Sequence, residues 1–356
     1  MKLVNYTKFF VASLLIYLAT SQIVFAQVKD SQTPDNLNIF AGGLKPNFKI
    51  ANGLGTANDQ VTFLFISHSD GEQKFDKFIP SIEADLFYKK KDKDFLGYGF
   101  NVEGFSGEKN NSYSFAHSFL DILPFTGAKS PGMLTTDGTT SSFKIETDIN
   151  SFLVNPYLRL DPNFWNSTPL SSLNEWQTDF GIVYNYLDYN LNTKINRSSD
   201  DRNVYVANEK VKHNSIGPSF TISQLKPIDG TNVQFIYGLK VAALVTEARL
   251  NASQDTTTVS AQGVTRYSVT DSNTSIGGFG TVSFGFLNSL PQGNYYLIAQ
   301  GTVRNDISTI VNPRCTTGQD CDNTGGHGTA YTPSPSHLER RTNLSGALKV
   351  GIKLDF

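Results

Sequence analysis

Every second residue from Leu344 onward is apolar or glycine: Leu344, Gly346, Leu348, Val350, Ile352, Leu354 and Phe356. Ser345, Ala347, Lys349, Gly351, Lys353 and Asp355 stand between them. Such alternation marks a strand with one face in an apolar medium and the other in water or against small groups. Here it lasts about as long as a strand needs to cross a bilayer. Ile82, Ala84, Leu86 and Tyr88 alternate with Glu83, Asp85, Phe87 and Lys89, and Leu96, Tyr98, Phe100 and Val102 follow after a turn. Phe180, Ile182, Tyr184 and Tyr186 share one face, as do Val233, Phe235, Tyr237, Leu239, Val241, Ala243 and Val245. Val282, Phe284 and Phe286 lead through Pro291-Gln292-Gly293 into Tyr295, Leu297 and Ala299. From 143 to 160 the alternation slips near Ser151, which reads as a bulge.

Counting weaker candidates at 61–65 and 113–119, the chain predicts about twelve strands, and dropping those two together leaves ten. Pro/Gly turns join strands on one side. On the other, Asn/Ser/Thr/Asp-rich stretches at 196–212, 251–273 and 310–340 predict long loops. The pattern predicts an all-β chain: a single closed antiparallel transmembrane β-barrel with short periplasmic turns and long extracellular loops. An even strand count places both termini on the periplasmic side. Trp176, Tyr184, Tyr186, Tyr189, Tyr237, Tyr295 and Tyr296 fall near predicted strand ends, where interfacial girdles belong.

The first 26 residues differ from the rest. Lys2 and Lys8 precede the apolar run 9–19, and Val24 and Ala26 suit cleavage before Gln27. That is the layout of an export signal. A polar leader, 27–35, then precedes the barrel, 36–356. The formal charge of -2 with no basic stripe argues against nucleic acid. Beyond the signal segment no apolar run is long enough for a spanning helix.

The amphipathic ending Leu348, Val350, Ile352, Leu354, Phe356 resembles the C-terminal sorting signal of Gram-negative outer-membrane barrels. The resemblance implies integral outer-membrane localisation, with outer-membrane lipid, the barrel-assembly machinery and periplasmic chaperones as partners. Three short motifs, Phe180-Gly181-Ile182-Val183-Tyr184, Ile216-Gly217-Pro218 and the segment from Tyr237-Gly238-Leu239 to Ala243-Leu244, are similar to the Legionella-type pore-forming outer-membrane family. That resemblance implies a pore.

The predicted lumen face carries both signs of charge: Lys349, Lys353, Lys240 and Arg304 against Glu146, Asp148, Asp179 and Asp85. A solvated, mixed-charge lumen suits passive passage of small polar solutes or ions. The alternative is a non-conducting barrel whose charges pair across a filled lumen and whose loops bind a partner outside the cell.

Cys315 and Cys321, in a predicted outer loop, suit a local disulfide in an oxidising compartment. They offer too few ligands for zinc. No metal and no cofactor is expected. Ser67-His68-Ser69-Asp70 cannot form a triad within one strand, because adjacent side chains point oppositely. His117 and His213 stand among Ser and Asn, and no enzyme is expected.

Overall fold

The computed structural model describes residues 34–52, 56–58, 72–90, 95–116, 119–122, 126, 132–135, 140–169, 171–197, 202–257, 264–290, 293–312, 315–317, 329–331 and 335–355. The expected export signal, most of the expected leader, Cys321, Phe356, the Ser67–Asp70 run and the 61–65 candidate lie outside them, as does the side chain of Cys315.

Ten long strands form the wall: β1 (Asn36–Asn52), β2 (Ile79–Lys89), β3 (Phe95–Ala116), β4 (Thr140–Leu160), β5 (Gln177–Arg197), β6 (Arg202–Pro227), β7 (Val233–Thr257), β8 (Val264–Leu290), β9 (Gly293–Val311) and β10 (His337–Asp355). Each pairs antiparallel with the next, and β10 closes on β1 in continuous register from Asn36↔Asp355 to Asn47↔Leu344. An eleventh strand, Glu72–Phe75, pairs with the far end of β1. Among the described residues the wall counts ten strands, and the 113–119 candidate begins within the upper end of β3. The ends of the first and last wall strands, Asn36 and Asp355, share one rim, called lower here. The ends of β2 and β3, of β6 and β7, and of β8 and β9 meet there too, with Gly230 in the 228–232 connection taking the positive φ its tight turn requires. The one longer lower connection folds into two 3-10 turns, Pro162–Ser167 and Ser171–Glu175, and docks when Trp165 Nε1 donates to Thr178 Oγ1 at 3.0 Å.

In the lower half, apolar side chains point outward. Leu348 and Val350 are 53% and 58% exposed, and Ile182, Leu297 and Phe284 stand similarly open around the wall. A continuous apolar belt on a closed barrel is buried only by lipid. Trp176 packs edge-on against Tyr237 near its lower margin, and Tyr184 donates to Asn214 Oδ1 at its upper margin. Replacing Leu348 with Arg, near mid-belt, should cost about 2–4 kcal/mol of membrane insertion. The readout is the fraction of heat-modifiable, membrane-extracted protein, and an unchanged fraction would remove the belt assignment.

In the upper half the same strands turn inside out. On β5 the outer face passes from Phe180, Ile182, Tyr184 and Tyr186 to Asp188, Asn190, Asn192 and Lys194. Its inner face meanwhile becomes Leu187, Tyr189, Leu191 and Ile195, all at most 2% exposed. On β4 the switch falls at Ser151: Ile145 and Ile149 point in, Phe152 and Val154 point out. The β3–β4 register runs through this point without a shift. The slip in alternation is therefore a change of environment along a regular strand, not a bulge. It also explains why 196–212 and 251–273 are mostly strand: above the lipid these strands wear a polar outer face, so their composition looks like that of loops. Tyr189, placed in a girdle by the sequence, is buried inside.

Candidate functional site: the closed lumen

The upper lumen is filled by strand ends that leave the wall. Pairing of β8 with β9 stops at Phe279↔Arg304, although β8 continues beside β7 as far as Thr257↔Val264. At that point β9 bulges against β10, between Arg304 and Ile307, and folds inward. The end of β1 folds in likewise and runs parallel to it, Ala51↔Ile310 and Asn52↔Val311. Glu72–Phe75, residues 48–52, residues 307–311 and residues 337–341 thus make a four-stranded flap inside the rim. It packs against the inner faces of β4–β7 through one apolar cluster, including Phe48, Ile50, Phe75, Ile307 and Ile310 from the flap and Ile149, Leu191, Ile195, Val211 and Leu250 from the wall. The upper half is in effect two stacked sheets. Residues 306–310 are each at most 2% exposed, so both faces of that strand are covered.

Three polar side chains latch flap to wall. The Tyr189 hydroxyl lies 2.8 Å from Ser308 O and 3.1 Å from Ile50 O, touching both inward strands. His213 Nε2 accepts from Ser308 N at 2.9 Å. Asn312 Nδ2 donates to Glu209 Oε1 at 2.6 Å. Where backbones part, side chains substitute: Asn343 Oδ1 accepts from Lys49 N, Asn305 Oδ1 from Gly278 N and Asp271 Oδ2 from Leu338 N, while Arg340 reaches Ile276 O. At the flap's outer corner Lys109 bonds Asp76 at 2.6 Å and holds that carboxyl below its ordinary value.

The lower lumen is polar, and its charges meet. Lys349 Nζ lies 2.6 Å from Glu83 Oε2 and 2.8 Å from Glu103 Oε1, and Asn101 donates to the other Glu83 oxygen. Nearer the lower rim Arg159 forms a two-pronged pair with Asp179 and lies over the Phe87 ring. Tyr157 donates to Asp85 at 2.9 Å, and Gly99 leaves room for the Tyr157 ring, which a side chain there would strike. Arg304 pairs with Asp306 just below the flap, and Lys353 pairs with Asp355 at the rim.

Of the residues expected in the lumen, Lys349, Lys240, Arg304, Asp179 and Asp85 stand on the inner face, with Lys353 on the same face at the mouth. Glu146 and Asp148 do not. They share the outer face with Asn150, Phe152 and Val154, because the apolar side of β4 changes at Ser151 and parity counted from Phe143 misassigns them. Sequence reasoning missed the latch residues Tyr189 and Glu209 and saw in His213 only an isolated histidine. The signal available was the apolar run Leu187, Tyr189, Leu191, Ile195 on the face opposite Ile182 and Tyr184. Among the described residues no three His, Cys, Asp or Glu side chains are grouped to hold a metal ion.

No protein-family model matches the sequence, and no curated protein does. Among solved structures the chain is similar to a Pseudomonas aeruginosa FadL homologue, at 9% identity over 90% of each chain with a TM-score of 0.20. It is likewise similar to the P. putida toluene transporter TodX, at 9% identity over 91% of each chain with a TM-score of 0.21. Likeness at that level decides neither fold nor function, and the ten-stranded closure rests on the hydrogen-bond registers alone.

Proposed function

We propose that the protein is an outer-membrane channel for small polar solutes, closed in this conformation by the inward flap. One observation carries the reading: residues 306–310 lie inside the lumen, buried on both faces, beside a wall strand whose matching edge has lost its partner. A lumen closed by displaced wall strand, rather than by side chains of the wall itself, opens when that strand moves. The polar lower lumen supports passage of polar rather than apolar solutes. The export-type segment 1–26, the lipid-facing belt and the rim shared by the outer ends of β1 and β10 support a Gram-negative outer membrane with periplasmic termini. A pore is also what the resemblance to the Legionella-type family implies.

The test is state-dependent labelling alongside conductance. Ser308→Cys should resist a membrane-impermeant maleimide in the otherwise native protein. Adding Tyr189→Phe and His213→Ala, which removes two latches, should expose that thiol and raise the open fraction in planar bilayers by about five- to a hundredfold, since two lost bonds amount to about 1–3 kcal/mol. Persistent protection with no conductance in the latch variant would favour the non-conducting barrel with loop-mediated binding.

A further inference from the structure

Of the groups that latch the flap to the wall, Glu209 alone is a carboxylic acid, and it is 1% exposed. It stands on the inner face of β6 between Leu191 of β5 and Ala252 of β7, with Ala207 above and Val211 below it on the same face. Its sequence neighbours Asn208 and Lys210 point outward and are exposed, so this stretch lies above the lipid belt. Asn312 Nδ2 donates to Glu209 Oε1 at 2.6 Å, and Asn312 Oδ1 in turn accepts from Ser336 Oγ at 2.6 Å. Asn312 follows β9 and Ser336 precedes β10. The relay therefore ties both stems of the outer connection 313–335 to the wall through one carboxyl.

That carboxyl has no balancing charge. Among the described residues no cation acts on it: burial pushes it up to about 7, and the Asn312 amide offsets only part of the effect. Tyr189 on β5 and Tyr205 on β6 both feel its charge and are themselves neutral. From β7 it is faced by Leu250, Ala252 and Gln254. Charged groups on other elements are engaged elsewhere: Asp271 of β8 accepts from Leu338 N, and Asp306 of β9 pairs with Arg304. Lys49, Lys74, His337 and Glu339 alternate with Ile50, Phe75 and Leu338 of the apolar cluster, and so lie on the flap's far face. His213, four residues down the same face of β6, pulls the other way, because protonating Nε2 ends its bond from Ser308 N.

We propose that Glu209 makes the seating of the flap sensitive to pH: as an uncharged acid it keeps Asn312, Ser336 and the flap in place, and on ionising it releases them. The device rests on the reading of the flap as the element that closes the lumen. With the flap released, Glu209 meets water and titrates near the ordinary 4.5, whereas the seated flap holds its proton to about 7. Seating therefore has the full contribution of this group below pH 4.5, loses it progressively as the pH rises toward 7, and regains nothing above that. The flap lies at the rim that the channel reading places outside the cell, so the pH concerned is that of the external medium.

Ser308→Cys in the full-length protein, reconstituted in vesicles, reports release by its reaction with an impermeant maleimide between pH 5 and pH 8. At each pH the labelling rate is divided by that of the same protein carrying Glu209→Gln, which cannot ionise. Thiol chemistry and the titration of His213 are common to both and cancel. The ratio should lie within a few-fold of one at pH 5 and climb at least tenfold by pH 8, since each unit between two pKa values counts for about a factor of ten. Glu209→Met, apolar and of similar length, should give the same ratio and guards against poor packing of the amide; heat-modifiable migration checks that each barrel is intact. A ratio that stays flat with both variants overturns the device, as does a cysteine protected at every pH. A ratio that climbs in a protein with no current at any pH leaves the device standing and removes the channel. Currents that respond to pH alike in wild type and Glu209→Gln leave the channel and overturn the device.

Discussion

Lys349→Met should destabilise the barrel by about 3–5 kcal/mol, the range for removing one partner of a buried ion pair. Lys349 is only 2% exposed and holds two carboxylates on two other strands, Glu83 at 2.6 Å and Glu103 at 2.8 Å. Taking the ammonium away leaves like charges facing each other in a confined lumen, with Asn101 still bonded to one of them. The triple variant Lys349→Met, Glu83→Gln, Glu103→Gln should recover most of the loss, because the cost lies in stranded charge rather than in lost contact area. Urea unfolding followed by the heat-modifiable shift measures both. If Lys349→Met matches wild type, these three groups are solvated well enough that the network contributes nothing.

Ile195→Asp should have a comparable cost but a different outcome. Ile195 is fully buried in the apolar cluster of flap and wall residues of the upper half, and a carboxylate there meets apolar side chains. A buried unpaired charge costs several kcal/mol, which the molecule avoids by separating the two stacked sheets. Only Leu44, Phe105 and Ala347 carry that cluster down to the level of the belt, so the belt should keep its heat-modifiable behaviour. Residues near the flap should gain protease sensitivity, and the open fraction in bilayers should rise. Loss of the whole barrel in this variant would show the halves to be one cooperative unit.

Much of the wall was legible because lipid imposes a strict code. Leu348, Val350 and Ile352, and Val282, Phe284 and Phe286, alternate cleanly, since a polar residue there has nothing to bond with. The upper half was not legible for a related reason. There Asp188, Asn190, Lys210 and Lys212 meet water while Leu187, Leu191 and Val211 meet the flap, so the alternation survives with its sides exchanged. A reading that fixes the outer face once and counts by twos carries Glu146 and Asp148 into the lumen. The inward turn of β9 left no mark at all: Ile307, Ser308, Thr309 and Ile310 have no two-sided pattern because neither side meets solvent. Lumenal pairing was only half visible. That Lys349 faces inward followed from parity, whereas its two partners came from β2 and β3, far away in the chain.

The exchange of faces has one more consequence, for depth. On four adjacent strands the first polar outward residue above the belt is Asn150, Asp188, Asn214 and Glu247. Sinking each strand by two residues, about 7 Å along its length, would carry that collar into hydrocarbon, and rising by as much would bring Tyr184 or Val245 into water. The protein is therefore fixed in height on both sides. In bilayers thinner or thicker than its belt the lipid must stretch or compress to match, at a cost of fractions of a kcal/mol per Å, since the barrel cannot slide to relieve the mismatch.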